Sequence, residues 1–416
     1  MKRRDMIRTA VGAATVLAAA AEAASAVQTP TAAASNGIAD VAVIGAGVFG
    51  VWTAEHLLRA GRSVVLLDAW GPGHSRATSG GETRLIRMSY GANELYTRWT
   101  IRALEEWKAL GRDCGEPIFN RTGVLRMGPA GFPYITESEK TLKTLGVPFE
   151  HLDAAALAQR FPQIGMEQLG AGLFEPDSGV LLARRGIQAA AERCSKQGAI
   201  VRVDAALPPT GRGEVRELST ASGASVRARQ FVFACGPWLP KLFPELLGKL
   251  ITVPRAEVFF LGLPGGDRRF AAPDMPGWID ETSDTYGTPD IEYRGFKVGI
   301  DPPRAPFDPD TAVRVVSEES IARMRAYVRK RFPSLAEAPI VETRVCQYEE
   351  TASGDFLIDR HPDFGNVWIA GGGSGHGFKL GPSVGQYVAE RVLRGDAPDT
   401  RFAIATHQRG ARRAVD

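Results

Sequence analysis

The chain has 416 residues, of which 44% are hydrophobic and 23% are charged, and its formal net charge is +3. This length allows two domains or one large intertwined pair, and the composition is ordinary for a globular protein. The positive charge is spread along the chain, and no block of Lys or Arg with interleaved aromatic residues occurs. Nucleic acid is therefore not expected as a partner.

The first 26 residues have the pattern of an export signal. A basic start is followed by an Ala-rich apolar stretch and by a small-residue ending at Ala24-Ser25-Ala26. The apolar run is shorter than the ~20 residues that span a bilayer, so no stable membrane insertion is expected after cleavage. Arg3-Arg4 is typical of the twin-arginine route, with an ordinary Sec signal or an uncleaved anchor as the alternatives. We expect a periplasmic or secreted protein, exported by the twin-arginine machinery, in which residues 27–37 form a disordered linker.

Residues 40–70 have the pattern of a dinucleotide-binding unit. Gly45, Gly47 and Gly50 form G-x-G-x-x-G between an apolar strand and an amphipathic helix, and Asp68 closes a second strand. The first glycine allows a tight turn, the second lets a pyrophosphate approach the backbone, and the third lets helix and strand pack closely. The helix N-terminus attracts phosphate, and Asp68 can accept hydrogen bonds from ribose hydroxyls. These residues fit FAD and NAD equally well.

The segment that follows favours flavin. Residues 71–91 form a Gly- and Ser-rich loop, whereas a nicotinamide enzyme would usually continue directly into another helix. From this loop onward the chain resembles the monomeric sarcosine oxidase and N-methyltryptophan oxidase family, FAD enzymes of the D-amino-acid-oxidase superfamily. The resemblance covers nearly all of residues 38–410. Its motifs are GETRLIR (81–87), TGVLRMGP (122–129), FEPDSGVL (174–181), FVFACGPW (231–238), FKVGID (296–301) and the long segment 346–385.

The resemblance implies a covalently bound FAD. Cys346 lies as far ahead of DRHP and SGHGFK as the flavin-linking cysteine of the family, and so would form a thioether to the 8α-methyl of the isoalloxazine ring. The chain has four cysteines and no CxxC pair, so an inert thiol or a disulfide remains the alternative. A covalent link would keep the flavin bound after export. No metal site is predicted.

Three further residues are assigned by resemblance to the substrate side of the flavin. Lys297 matches the lysine that activates oxygen, where an ammonium group stabilises superoxide. Tyr286 and Tyr348 match tyrosines that shape the substrate pocket. On a strand Lys297 points away from Phe296 and Val298, but this alternation alone also fits a solvated surface lysine.

The glycine-rich loop 371–385 leads into a helix. Such a loop can aim N–H groups at the pyrimidine edge of the flavin, and Gly375 and Gly377 are its candidate cofactor-binding residues. His376 between them is expected to be structural, with its ring satisfied by the backbone.

The carboxylate of the substrate has two candidate ligands by resemblance. Lys379 would supply a point charge and Arg87 a planar fork of donors. Arg84 matches a second arginine close to the flavin.

Two departures from the sarcosine enzymes bear on the substrate. Asp301 stands where they have a histidine, and Ser79-Gly80 stands where they have a His pair. A carboxylate in the pocket would repel a plain carboxylate substrate and favour one with a cationic group. Sarcosine itself is therefore not the expected substrate.

The expected architecture is mixed α/β: a Rossmann-type FAD-binding domain with a second, mixed antiparallel-sheet substrate domain. The first would comprise residues 38–90, 170–245 and 335–400, and the second residues 91–169 and 246–334.

The leading function is an oxidase of N-methyl or other secondary amino acids, in which hydride passes to FAD and oxygen reoxidises it. The products would be an imine, which water hydrolyses, and hydrogen peroxide. A dehydrogenase that passes electrons to a quinone or another carrier is the second hypothesis, and a non-catalytic flavin-bearing binding protein is the third.

Overall fold

The computed structural model describes residues 37–300 and 306–410. The predicted signal peptide, nearly all of the predicted linker and Asp301 lie outside the described residues.

A largely parallel sheet is built from the apolar runs of the dinucleotide unit and of two later segments. Neighbouring strands run parallel except Leu357–Arg360 and Glu217–Ser219. The central strands are buried on both faces, which explains why they are continuous apolar runs rather than alternating ones. In spatial order the strands are Leu357–Arg360, Val367–Gly371, Ser225–Phe233, Ala39–Ile44, Val64–Asp68 and Ile200–Val203, with Glu217–Ser219 paired to Ser225–Phe233.

A second, mixed sheet has eight strands among the described residues. All neighbours are antiparallel except Gly277–Asp280 and Val124–Gly128, which run parallel. In spatial order the strands are Ile340–Gln347, Arg255–Leu261, Phe296–Ile300, Thr285–Thr288, Gly277–Asp280, Val124–Gly128, Ala171–Glu175 and Glu150–Asp153.

Two small sheets and the helices complete the described fold. Thr83–Ile86 and Phe119–Asn120 flank Gly179–Leu182, and Ile251–Thr252 pairs with Glu350–Thr351. The helices are Val48–Arg59, Glu94–Cys114, Pro133–Thr144, Ala154–Arg160, Ala183–Lys196, Leu239–Leu242, Pro244–Leu247, Glu318–Arg331, Gly381–Arg394 and Ile404–Gln408. No helix in the described ranges is long and apolar enough to cross a membrane.

The helix that begins at the glycine turn packs against the helix that follows the second glycine-rich loop. A Cβ added at Gly385 would lie 2.4 Å from the backbone of Trp52, so glycine is what permits this close approach. The contact fixes the turn after Ile44 relative to the loop 371–385.

The mixed α/β fold with a parallel dinucleotide-binding sheet and a second mixed sheet confirms the predicted fold class. Two strands pair differently from the predicted grouping. Ala171–Glu175 and Ile340–Gln347 belong to the mixed sheet, although both segments were assigned to the FAD-binding domain. Their partners lie far away in sequence, and no local pattern specifies such pairing. The domain limits themselves stay a prediction.

Candidate active site

The glycine turn forms a cradle that side chains would fill. Gly45 has φ +99°, and a Cβ there would lie 2.4 Å from the carbonyl oxygen of Ala234. A Cβ at Gly50 would lie 1.8 Å from the carbonyl oxygen of Gly45, so the helix can pack onto the strand only with glycine. The nearest neighbour of a Cβ at Gly47 is a serine hydroxyl at 3.5 Å, which leaves that backbone open to an approaching group. These three environments match the three roles that the motif predicts.

Asp68 closes this site at the end of the second strand. One carboxylate oxygen accepts the backbone N–H of Ala46 at 2.8 Å, and the other accepts those of Trp70 and Gly71 at 2.9 Å each. The carboxylate is therefore held in place by the backbone of both turns. His74 lies 3.7 Å from it.

A cavity of about 380 Å³ opens beside this turn. Its lining includes Gly45, Gly47, Asp68, Trp238 and, at the side of the second glycine-rich loop, Glu349. The cavity thus joins the predicted phosphate-binding turn to the predicted ribose-binding carboxylate. These residues fit a dinucleotide.

One face of the mixed sheet carries the predicted flavin-side residues. Tyr286 stands opposite Gly299, Lys297 opposite Phe260, and Cys346 opposite Ala256. Residues opposite one another or two apart on these strands share a face, so all of them point to the same side. Tyr286, Lys297 and Cys346 line a second, narrow cavity of about 20 Å³, together with Arg84, Arg344 and Tyr348. The hydroxyls of Tyr286 and Tyr348 lie 2.9 Å apart.

Lys297 is buried rather than solvated. Its side chain is 1% exposed, and its Nζ donates a hydrogen bond to the carbonyl oxygen of Thr83 at 2.9 Å. Phe296 and Val298 point to the opposite face, into the hydrophobic core. The alternative of a solvated surface lysine is therefore wrong. Burial, and then the neighbouring Arg84, hold the pKa of Lys297 well below its usual value.

The thiol of Cys346 is buried and faces several cations. Lys297, Arg314 and Arg344 lie within electrostatic reach of it. All four cysteines of the chain are free thiols in the structure, so a disulfide at Cys346 is not formed.

Arg87 and Lys379, which lie far apart in sequence, form one cationic cluster with a third residue that the sequence did not single out. Arg126 is 4% exposed and lies on the same sheet face as Tyr286, in the row Arg126, Ile279, Tyr286. The guanidinium of Arg87 stacks on the Tyr90 ring at 4.6 Å, and the Nζ of Lys379 lies 5.2 Å from that ring.

The charges of this cluster are only partly balanced. Arg126 pairs with Glu281, while the carboxylate of Glu175 accepts the backbone N–H groups of Met88 and Ser89. Burial, followed by repulsion from Arg87, lowers the pKa of Arg126 to about 10. The pKa of Lys379 is lowered well below its usual value by burial, and then by the two arginines. Such a site favours an anion.

The second glycine-rich loop is ordered by its own backbone. Gly375 has φ +73°, and the N–H of Gly377 donates to Gly373. The ring of His376 lies 2.9 Å from the carbonyl oxygen of Gly354 and 3.3 Å from the Tyr90 hydroxyl. These contacts agree with a structural role for His376.

Two functional candidates, Arg126 and Glu349, were missed by sequence reasoning. A signal existed for Arg126, because an arginine inside the apolar strand VLRMG needs a buried partner. Glu349 had no such signal, since its position in a cavity follows only from the tertiary fold.

The described ranges contain no group of three or more His, Cys, Asp or Glu side chains that could hold a metal ion.

Fold and site together define a dinucleotide-binding protein with a second, mixed sheet that carries a row of buried polar residues. Comparison with protein families gives the cofactor: residues 40–391 match the DAO family of FAD dependent oxidoreductases, and the chain belongs to this family. The predictions of the family, of FAD and of an FAD-dependent oxidoreductase are thereby confirmed.

Characterised members of this family are similar in sequence to most of the chain. Monomeric sarcosine oxidase of Bacillus sp. (strain B-0618) is 31% identical over 366 residues, covering 86% of this chain and 92% of the relative. N-methyl-L-tryptophan oxidase of Citrobacter koseri is also 31% identical, over 375 residues that cover 86% of this chain and 95% of the relative. Peroxisomal sarcosine oxidase of Homo sapiens is 30% identical, and the match covers 87% of this chain and 94% of the relative.

Solved structures support the fold. L-proline dehydrogenase from P. horikoshii superposes with a TM-score of 0.78 at 21% identity, covering 90% of this chain and 99% of that one. NikD, an amino acid oxidase of nikkomycin biosynthesis, gives a TM-score of 0.71 at 21% identity, covering 88% and 97%.

Proposed function

We propose that this protein is an FAD-dependent oxidase of N-substituted amino acids. The observation that carries the proposal is the position of Lys297, which is buried on the same sheet face as Cys346 and Tyr286, with Arg87 and Lys379 clustered nearby. Relatives named sarcosine oxidase and N-methyl-L-tryptophan oxidase support N-methyl amino acids as the substrate class.

Bound FAD would accept a hydride from the C–H beside the substrate nitrogen and return the electrons to oxygen, so that the imine and hydrogen peroxide are formed. Arg87 and Lys379 would hold the carboxylate of the substrate, Arg87 through a planar fork and Lys379 through a point charge. Because both lie in a largely buried cluster, each contact is worth more than it would be in water. Tyr286 and Tyr348, joined through their hydroxyls, would form one wall of the pocket.

Lys297 would serve the oxygen half of the reaction. An ammonium group fixed by the carbonyl of Thr83 stabilises negative charge that develops on oxygen, without reorganising during the reaction. This role favours an oxidase over a dehydrogenase.

Cys346 would hold the cofactor covalently. The support is that the thiol lies on the wall of the narrow cavity, which Lys297 and Arg344 also line.

The protein would act outside the inner membrane, in the periplasm or beyond. The support is the sequence of residues 1–26, with its arginine pair and small-residue ending. Export after folding suits a protein that takes up FAD in the cytoplasm.

A peroxide assay tests the proposed function directly. The purified yellow protein is mixed with N-methyl and cyclic amino acids in air, and hydrogen peroxide is measured against flavin reduction under nitrogen. We expect peroxide in step with substrate consumed, and none from the corresponding N-methylamines that lack a carboxylate. If substrate reduces the flavin but only a quinone or dye reoxidises it, the dehydrogenase is the correct function.

A further inference from the structure

Glu349 lies at the wall of the large cavity and close in sequence to the narrow one. It lies three residues beyond Cys346, which lines the narrow cavity, and it lines the large one itself. A Cβ added at Gly371 would lie 3.2 Å from its Oε2, and one at Gly373 would lie 3.2 Å from its Oε1. The glycines at these positions therefore leave the space that the carboxyl group fills.

The hydrogen bonds of this carboxyl group are incomplete. The backbone N–H groups of Gly372 and Gly373 face it, but its Oε2 is buried and has no partner. Burial raises the pKa of Glu349 to about 7, against the opposing effect of the two N–H groups. A carboxyl group that carries a proton becomes a hydrogen-bond donor.

The surroundings of Glu349 are poor in positive charge. The carboxyl groups of Asp68, Asp204 and Asp310 line the same cavity, whereas Lys241 is its only lining lysine or arginine in the described ranges and is paired with Asp310. Bound in this cavity, FAD would add the negative charge of its diphosphate. An ionised Glu349 would repel the neighbouring carboxylates and the diphosphate, whereas a neutral Glu349 can donate a hydrogen bond.

We propose that Glu349 is a cofactor-binding residue that acts as a neutral carboxylic acid, donating a hydrogen bond from its buried oxygen to an acceptor atom of FAD. Cofactor binding is then coupled to the uptake of one proton. The inference concerns cofactor retention, and it holds whether oxygen or another acceptor takes the electrons.

The direction of the pH dependence follows from linkage. Below about pH 7 the carboxyl is already protonated, and affinity for FAD does not change with pH through this group. Above that pH the group must first take up a proton, so the dissociation constant rises by up to roughly tenfold per pH unit.

The neighbouring groups do not titrate in the same way. Burial lowers the pKa of His74 below 6.5, and burial raises the pKa of Cys235 above that of an ordinary thiol. The hydrogen bond to Asp310 raises the pKa of Lys241. The remaining acids are Asp68, Asp204 and Asp310, which line the cavity, and Glu350, the next residue in the chain. The hydrogen bond from Ser222 lowers the pKa of Asp204, and against the effect of burial the hydrogen bonds from Lys241 and Trp238 lower the pKa of Asp310, so neither takes up a proton between pH 7 and 9.

The test measures FAD release rather than turnover. The full chain carrying Cys346→Ser, loaded with FAD, is diluted at pH values from 6 to 9, and free FAD is read from its fluorescence. The serine background makes binding reversible whether or not the natural thiol reacts. Glu349→Gln is measured in the same background, because an amide keeps a donor but has no proton to gain. Asp310→Asn serves as the control, since it removes a charge from the same cavity without touching Glu349.

We expect the dissociation constant of the Glu349 protein to be flat below pH 7 and to rise by up to roughly 100-fold between pH 7 and 9. The dissociation constant of the Gln variant should show no such rise. That of the Asn control should rise as steeply as in the parent protein, with all values shifted by the same factor. If the Gln variant does not fold, the slope of the parent protein still decides, because a flat profile from pH 6 to 9 overturns the proposal. Retention of the full slope by a folded Gln variant overturns it equally.

Discussion

Replacement of Lys297 by methionine separates its electrostatic role from its structural one. Methionine keeps the length and most of the packing of the lysine side chain, but it removes the charge and the hydrogen bond to Thr83. If the ammonium group stabilises charge that develops on oxygen, the variant should still be reduced by substrate at a similar rate. Its reaction with oxygen should be slow.

The size of the effect follows from the burial of Lys297. At ~4 Å and an effective dielectric constant of ~20, two unit charges attract by about 4 kcal/mol. Because charge develops only partly in a transition state, we expect a loss of about 3–4 kcal/mol, or roughly 100–1000-fold in rate. The same substitution at Lys330, which pairs with Glu167 at 3.2 Å at the surface, is the matched control and should change neither half-reaction.

Stopped-flow mixing isolates the relevant step. Substrate-reduced protein is mixed with oxygenated buffer, and the return of the oxidised flavin spectrum gives the rate. The unmodified protein should also lose oxygen reactivity as the pH rises through the pKa of Lys297, which burial holds below the usual value. Equal slowing of reduction and reoxidation in the methionine variant would refute the electrostatic role. Oxygen reactivity of the unmodified protein no greater than that of free flavin would refute the oxidase itself.

Three other predictions concern different parts of the chain. Cys346→Ser should fold and bind FAD but release it on acid precipitation, because a hydroxyl is a far poorer nucleophile than a thiolate; yellow colour in the precipitate would place the link elsewhere. Lys379→Ala should weaken substrate binding by about 1.5–3 kcal/mol, or roughly 10–150-fold, in an anaerobic titration of the flavin spectrum. An unchanged dissociation constant would exclude it as a carboxylate ligand. Replacing Arg3-Arg4 with Lys-Lys should hold the precursor in the cytoplasm on cell fractionation, whereas unchanged export would indicate a Sec signal.

The dinucleotide turn could be predicted from sequence because its parts are contiguous. Gly45, Gly47 and Gly50 each meet the environment that their spacing implies, and Asp68 closes the next strand. Within such a unit, strand, turn and helix determine one another through short-range contacts.

The environment of Lys297 could not be predicted in this way. Alternation shows that Lys297 and Phe296 point to opposite faces, but it cannot tell which face is covered. The answer comes from Thr83, more than 200 residues away, which supplies the hydrogen-bond acceptor. The environment of Arg126 could not be predicted either, because Arg87 and Lys379, which lie near it, come from two other segments of the chain.

The segment 346–349 connects the two halves of the site. Cys346 is held in the mixed sheet opposite Ala256, and the N–H of Tyr348 donates to Pro254 at 2.9 Å on the same side. One residue later the carbonyl of Glu349 accepts the N–H of Ser374 at 2.7 Å, in the loop that follows the parallel sheet. Since a chain of four residues cannot stretch beyond ~14 Å, the backbone of Cys346 at one cavity and that of Glu349 at the other stay within this distance. A cofactor bound by both would therefore fix the mixed sheet, which carries Lys297 and Tyr286, relative to the glycine turn that binds its phosphates.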